Sequence, residues 1–181
     1  MFVKVCGITD TAEIDEAVKL GYDAIGIVLY PKSKRFVTPE KAASLARYAK
    51  NRILTVAVSI PFSDVALVAN DFNFIQVYEP VDIENLIYAS NIIPKKGMKF
   101  KYFLYDNSKG SGKLDDIPLW TKMLKGKLII AGGLNSENVV EIVKKFKPFG
   151  VDVSSGVENI FGKKDFNKMA KFIKVVKSIV I

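Results

Sequence analysis

Two residues far apart in the chain stand where proton chemistry could be done. Cys6 ends the apolar run Val3-Lys4-Val5-Cys6 and is followed at once by Gly7. Asp106 ends the aromatic-rich run Tyr102-Phe103-Leu104-Tyr105. Both runs read as buried strands, which places a thiol and a carboxyl at strand ends. A thiolate can take a proton from carbon, and a carboxyl shielded by apolar neighbours can hold a proton and donate it. The chain has no histidine. That removes the Ser-His-Asp triad and most zinc sites, and it shifts any acid-base chemistry to Cys6, carboxylates, lysines or tyrosines.

Each residue also has an ordinary structural reading. A lone strand cysteine serves as a small core hydrophobe, and Asp106 can cap the turn that follows it. The positions of other unusual residues bear on the choice. Arg35 lies in the polar stretch Tyr30-Pro31-Lys32-Ser33-Lys34-Arg35, in a chain where arginine is rare. Its planar fork suits a ligand carboxylate. Ala131-Gly132-Gly133-Leu134-Asn135 and Val153-Ser154-Ser155-Gly156 are glycine-bearing strand exits. Their backbone N–H groups can approach an anion closely, which makes Gly133, Ser155 and Gly156 candidates for holding a phosphate. Gly110, Ser111 and Gly112 form a candidate flap over the ligand.

The elements that must position these residues alternate. Apolar segments without clean two-residue periodicity fall at 3–8, 24–29, 54–60, 74–78, 91–94, 102–105, 127–131 and 151–154. That pattern suits strands of a parallel sheet buried on both faces. Helical periodicity runs between them. Asp10 and Glu13 form a capping-box pattern ahead of Ile14, Ala17 and Val18, with Gly21 as a stop. Thr38-Pro39 supplies an N-cap and a first-turn proline. Val139, Ile142, Val143 and Phe146 make one helical stripe, and Phe166, Met169, Ala170, Ile173 and Val176 make another.

Eight strands alternating with helices predict a (β/α)8 TIM barrel formed by residues 1–181 as a single domain. Residues 91–102 leave no room for a normal helix, so the fifth helix is expected to be shortened or replaced by a loop. An open doubly wound sheet is the competing architecture, but no Gly-x-Gly-x-x-Gly follows the first strand. In a barrel the βα loops share one face, and loops seven and eight are the usual phosphate seat. Cys6, Arg35, Asp106, Gly133 and Ser155 all sort to that face.

Composition narrows the setting. With 49% apolar residues the chain can build a sizeable core. No apolar run is long enough to span a membrane, and no signal-peptide layout is present at the N-terminus. One cysteine cannot form an internal disulfide, so a reducing cytoplasm is expected. The net charge is +8, carried mostly by lysines spread along helix faces. That describes a solvated surface with scope for steering an anion, rather than the clustered cations of a nucleic-acid site. The pattern sets no oligomeric state.

At these residues the chain resembles the phosphoribosylanthranilate isomerase family of tryptophan biosynthesis. The resemblance rests on Val3-Lys4-Val5-Cys6-Gly7-Ile8-Thr9, on Asp23-Ala24-Ile25-Gly26 through Pro31-Lys32-Ser33-Lys34-Arg35, and on Thr38-Pro39-Glu40. It continues through Leu104-Tyr105-Asp106, Gly110-Ser111-Gly112, Ala131-Gly132-Gly133-Leu134-Asn135 and Asn138-Val139. It closes with Val151-Asp152-Val153-Ser154-Ser155-Gly156-Val157-Glu158 and Gly162-Lys163-Lys164-Asp165. These segments run in order over almost the whole chain.

The resemblance implies an aldose–ketose isomerase acting on a small phosphorylated substrate. The reaction is the Amadori rearrangement of N-(5-phosphoribosyl)anthranilate to 1-(2-carboxyphenylamino)-1-deoxyribulose 5-phosphate, with no cofactor and no metal. It further implies Asp106 as the general acid that opens the ribose ring and Cys6 as the general base at C2. Arg35 would take the anthranilate carboxylate, and amides near Gly133, Ser155 and Gly156 the phosphate. The chain departs from the family at Gln76-Val77-Tyr78-Glu79, where Gln-Leu-His-Gly is usual, and at Ser59, where asparagine is common. Two alternatives stand beside it. A related sugar-phosphate isomerase of histidine biosynthesis pairs two aspartates, against which Cys6 argues. A barrel binding a phosphorylated ligand or a protein partner without turnover would not need both a thiol and an acid.

Overall fold

Apart from a small antiparallel pair at Glu158–Ile160 and Lys163–Lys164, short runs of β-branched and aliphatic residues, each punctuated by glycine, proline or a polar cluster, form the eight strands of one sheet. They are β1 Phe2–Cys6, β2 Ala24–Val28, β3 Leu54–Val58, β4 Phe74–Val77, β5 Leu86–Ser90, β6 Tyr102–Tyr105, β7 Leu128–Ile130 and β8 Gly150–Val153. Every neighbouring pair is parallel, and β8 pairs back onto β1, so the sheet closes into a barrel. The structure is a computed structural model and describes residues 1–106, 117–124, 126–160 and 162–180. The candidate flap residues Gly110, Ser111 and Gly112 lie outside them.

Among the described residues, four α-helices pack around the barrel: α1 Thr11–Leu20, α2 Pro39–Ala49, α3 Val139–Phe146 and α4 Phe166–Lys177. Their ends follow local chemistry. The Asp10 carboxylate accepts from the Glu13 N–H at 3.0 Å, and Gly21 closes α1 in the left-handed region at φ 77°. Thr38 caps α2 with Pro39 in its first turn. The buried stripe of α3 is Val139, Ile142, Val143 and Phe146, as its spacing predicts. In α4 the buried face is Met169, Phe172, Ile173 and Val176, while Phe166 is exposed at the first position.

The expected fifth strand at 91–94 is displaced. The paired segment is Leu86–Ser90, and 91–94 belongs to the loop beyond it. Consequently neither 78–85, between β4 and β5, nor 91–101, between β5 and β6, contains a helix. The crossover from β3 to β4 uses only the 3₁₀ turns Phe62–Asp64 and Ala66–Asp71. The exterior of β5 and β6 is covered instead by rings. Tyr88, Phe100, Phe103 and Trp120 pack with centroids 5.8–6.5 Å apart.

The core has two layers. The outer one lies between strands and helices. The inner one fills the barrel with Ala24, Val28, Val56, Val58, Ile87, Ala89, Leu104, Ile129 and Ala131. Its floor, at the N-terminal strand ends, is a stack of Phe2, Tyr102, Phe149 and Phe74, with the Tyr102 and Phe149 centroids 4.6 Å apart. The closed floor leaves the C-terminal mouth as the open end of the interior.

Candidate active site

A cavity of about 670 Å³ opens at that mouth. Its wall includes Cys6, Arg35, Tyr78, Asp106, Gly132, Gly133, Asp152 and Ser155. Cys6 and Asp106, 100 positions apart in the chain, therefore face one space.

Cys6 points into the barrel because β1 alternates. Lys4 and Cys6 share the inner face, and Val3 and Val5 face the helices. Room for both inner side chains comes from Gly26 on the neighbouring strand. A Cβ there would stand 2.7 Å from the Cys6 Sγ and 2.9 Å from the Lys4 Nζ. Lys4 is fully buried, and its ammonium contacts both carboxylate oxygens of Asp152 at 3.1 Å. Lys4 and Asp152 are register partners across the β1–β8 seam, so barrel closure itself forms the pair. Burial disfavours the Lys4 charge, but Asp152 outweighs it and holds the ammonium above its ordinary pKa. Burial pushes the Cys6 thiol up, with Lys4 pulling the other way. The thiol is thus a strong base once ionised, and the buried ammonium offsets part of the cost of ionising it.

Asp106 leaves β6 at the opposite side of the interior. The Tyr78 hydroxyl donates to its Oδ2 at 2.6 Å. Burial, followed by the Asp106 charge, keeps the Tyr78 phenol well above its ordinary pKa, so it remains a donor at neutral pH. The phenol thereby keeps a hydrogen bond on the Asp106 carboxyl at the mouth of the barrel.

Arg35 is held in a fork. Its Nε and Nη2 donate to the two Glu158 oxygens at 2.8 and 2.9 Å. Lys164 Nζ reaches Glu158 Oε1 at 2.6 Å, and the Gly162 N–H reaches Oε2 at 3.1 Å. Burial opposes the Glu158 charge, but these donors overcome it and hold the carboxyl at about 2. Gly7, at φ 86°, makes the stem of Arg35 possible, since a Cβ there would lie 2.4 Å from the Arg35 Cδ. The turn after the thiol and the seat of the guanidinium are one feature.

The glycine-bearing exits of β7 and β8 meet as expected. Gly133 and Ser155 line the cavity. Gly156 packs behind them, where a Cβ would fall 2.0 Å from the Leu134 carbonyl oxygen. The loop after β7 is braced by side chains: Asn138 Nδ2 donates to the Gly133 carbonyl at 2.9 Å, and Asn138 Oδ1 accepts from the Asn135 N–H at 2.9 Å. Ser154 ties the β8 exit to β1 through the Cys6 carbonyl at 2.9 Å.

Reading the residues in isolation underrates Asp152, Glu158 and Gly26. One signal was present: Lys4 and Asp152 are charges inside otherwise apolar strands, and a buried charge demands a partner. Among the described residues, no group of three or more His, Cys, Asp or Glu side chains is placed to hold a metal ion. No described helix is long and apolar enough to cross a membrane.

Comparison with known proteins agrees with this geometry. A family model described as N-(5'-phosphoribosyl)anthranilate isomerase matches residues 3–175. The N-(5'-phosphoribosyl)anthranilate isomerase of Aquifex aeolicus is 36% identical over 200 residues, covering 97% of this chain and 98% of that protein. The enzyme of Listeria welshimeri is 37% identical, covering 99% and 100%. The phosphoribosyl anthranilate isomerase of Thermotoga maritima superposes with a TM-score of 0.83 at 31% identity, covering 99% of this chain and 100% of that one. Another solved phosphoribosyl anthranilate isomerase holds reduced 1-(o-carboxyphenylamino)-1-deoxyribulose 5-phosphate; it superposes at 0.82 with 32% identity, covering 99% and 100%. With the barrel, its mouth and these full-length matches in agreement, the chain belongs to the phosphoribosylanthranilate isomerase family.

Proposed function

We propose that this protein isomerises N-(5-phosphoribosyl)anthranilate to 1-(2-carboxyphenylamino)-1-deoxyribulose 5-phosphate. The observation that carries the reading is one cavity walled by a thiol, by a carboxyl with its own phenolic donor, and by two glycine-bearing loops. A phosphorylated substrate is anchored by backbone amides around Gly133, Ser155 and Gly156, where the loops after β7 and β8 converge. Its carboxylate is taken by Arg35, whose orientation Glu158 fixes through two of its five N–H donors.

Asp106 protonates the ribose ring oxygen, and ring opening leaves a Schiff base at C1. The Tyr78 hydroxyl steadies the resulting Asp106 carboxylate. The Cys6 thiolate then removes the proton from C2, and the enolamine formed ketonises to product. Each placed proton transfer contributes about a hundred- to ten-thousand-fold. Tyr78 stands where the family pattern has histidine, and in this chain its hydroxyl donates to Asp106. The acid, the base and the anion seat all belong to one barrel, and the reducing cytoplasm suits its unpaired thiol.

The test is a fluorescence assay of purified protein with freshly made phosphoribosylanthranilate. Its fluorescence should decay far faster than in the uncatalysed control. A decay equal to that control would remove the isomerase reading.

A further inference from the structure

One buried side-chain oxygen among the described residues has no hydrogen-bond partner. Gln76 lies on β4 two residues before Tyr78, so both side chains face the barrel interior. It is 3% exposed and lines the cavity. Its register partners are Val58 on β3 and Ile87 on β5, both members of the inner apolar layer. The amide is therefore flanked by hydrocarbon. Gln76 Oε1 is buried and has no hydrogen-bond partner among the described residues. A carbonyl oxygen left in that condition destabilises the folded protein. A leucine or methionine would fill the space without the penalty.

We propose that Gln76 is a substrate-binding residue whose Oε1 accepts a hydrogen bond from a hydroxyl of the substrate's sugar. The inference rests on the isomerase reading and adds a contact to it. An acceptor needs a donor, and the choice on this substrate is small. The phosphate and the carboxylate offer acceptor oxygens. The aryl N–H is engaged by the carboxylate ortho to it. The sugar hydroxyls remain. They belong to the middle of the ligand, between an anion held at the β7 and β8 exits and a carboxylate held at Arg35. Gln76 lines the same cavity as Cys6, Tyr78 and Asp106, two residues before Tyr78 on the β4 segment. The uncompensated oxygen makes the empty barrel less stable and the occupied one more selective, since a ligand lacking the hydroxyl leaves the oxygen unpaired.

The experiment uses the full chain with Gln76→Met and Gln76→Leu, two substitutions of fitting volume. Binding of reduced 1-(o-carboxyphenylamino)-1-deoxyribulose 5-phosphate is measured by calorimetry, turnover by fluorescence, and stability by thermal melting. In both variants the Kd and KM should rise about ten- to a hundredfold. The melting temperature should be equal to or above that of the unaltered protein. Unchanged Kd and KM, or a lower melting temperature with unchanged kinetics, would overturn the proposal and make Gln76 a packing residue. The unaltered protein run alongside separates the two ideas: if it neither binds nor turns over, the isomerase reading fails, whereas normal activity in all three proteins sinks only the Gln76 contact.

Discussion

Replacing Lys4 by methionine should leave the thiol harder to ionise and the barrel less stable, and the two effects can be measured apart. Lys4 is wholly buried and bonded to both oxygens of Asp152. Removing one partner of a buried pair strands the other charge, which costs about 3–5 kcal/mol. For a domain of this size that lowers the melting temperature by about 6–20 °C. The second effect concerns Cys6. Burial already raises the thiol pKa, and Lys4 is the strongest influence in the other direction. A general base works only when deprotonated, so activity should climb with pH until the thiol has ionised. Loss of Lys4 pushes that climb to higher pH, and at neutral pH kcat/KM falls about tenfold for each pH unit of displacement.

The double substitution Lys4→Met with Asp152→Leu isolates the second effect. Replacing both partners by apolar groups removes the stranded charge and should recover most of the stability. Asp152 raises the Cys6 pKa, but less than Lys4 lowers it. The double variant should therefore still ionise at a higher pH than the parent. The assay is kcat/KM by fluorescence across the pH range, with melting curves on the same samples. An ascending limb at the same pH in all three proteins would refute the argument that the buried ammonium tunes the base.

Three further outcomes follow from the site. Cys6→Ser and Asp106→Asn should each lower kcat by about a hundred- to ten-thousand-fold while the circular dichroism and melting curves stay near those of the parent; near-normal turnover in either would assign its proton to another group. Tyr78→Phe removes the donor at 2.6 Å from Asp106 and should lower kcat by about tenfold with little change in KM; an altered KM with unchanged kcat would make the phenol a packing group for the ligand instead. Glu158 has its pKa lowered to about 2 by Arg35 and Lys164 acting against burial. A depressed carboxyl stabilises the fold above its unfolded value of about 4.3, and that contribution is lost as pH falls toward the folded value. The gap in denaturation midpoint between parent and Glu158→Gln should therefore be full at neutral pH and shrink on acidification from about pH 4.3; a gap constant down to about pH 2 would contradict the pairing.

Much of this protein is written locally. Strand-length apolar runs, the Asp10 and Thr38 caps, the Gly21 stop and the α3 stripe are short-range patterns, and each forms where its own residues direct. Alternation of those elements points to a parallel sheet with one-handed crossovers, and eight such strands without a Gly-x-Gly-x-x-Gly favour the closed barrel over an open sheet. The barrel then sends every strand exit to one face, which is why Cys6, Arg35, Asp106, Gly133 and Ser155 could be sorted to one mouth before any coordinates. Strand five escaped that logic. Leu86-Ile87-Tyr88-Ala89-Ser90 has no helix on either side, so no change of period brackets it as one does β2, and its place is settled by pairing with β4 and β6.

What the chain could not show by itself is which charges meet. Lys4 finds Asp152 across 148 positions, Arg35 finds Glu158 across 123, and Tyr78 finds Asp106 across 28. The spacing along the backbone carries no trace of these contacts, because they exist only once β8 closes on β1 and the loops fold over the rim. Pair energies in a low-dielectric interior depend on ångström distances and on burial, and both are properties of the closed barrel. The residue types offered a thiol, a carboxyl and glycine-bearing loops; tertiary structure decided which charges surround each of them and how closely.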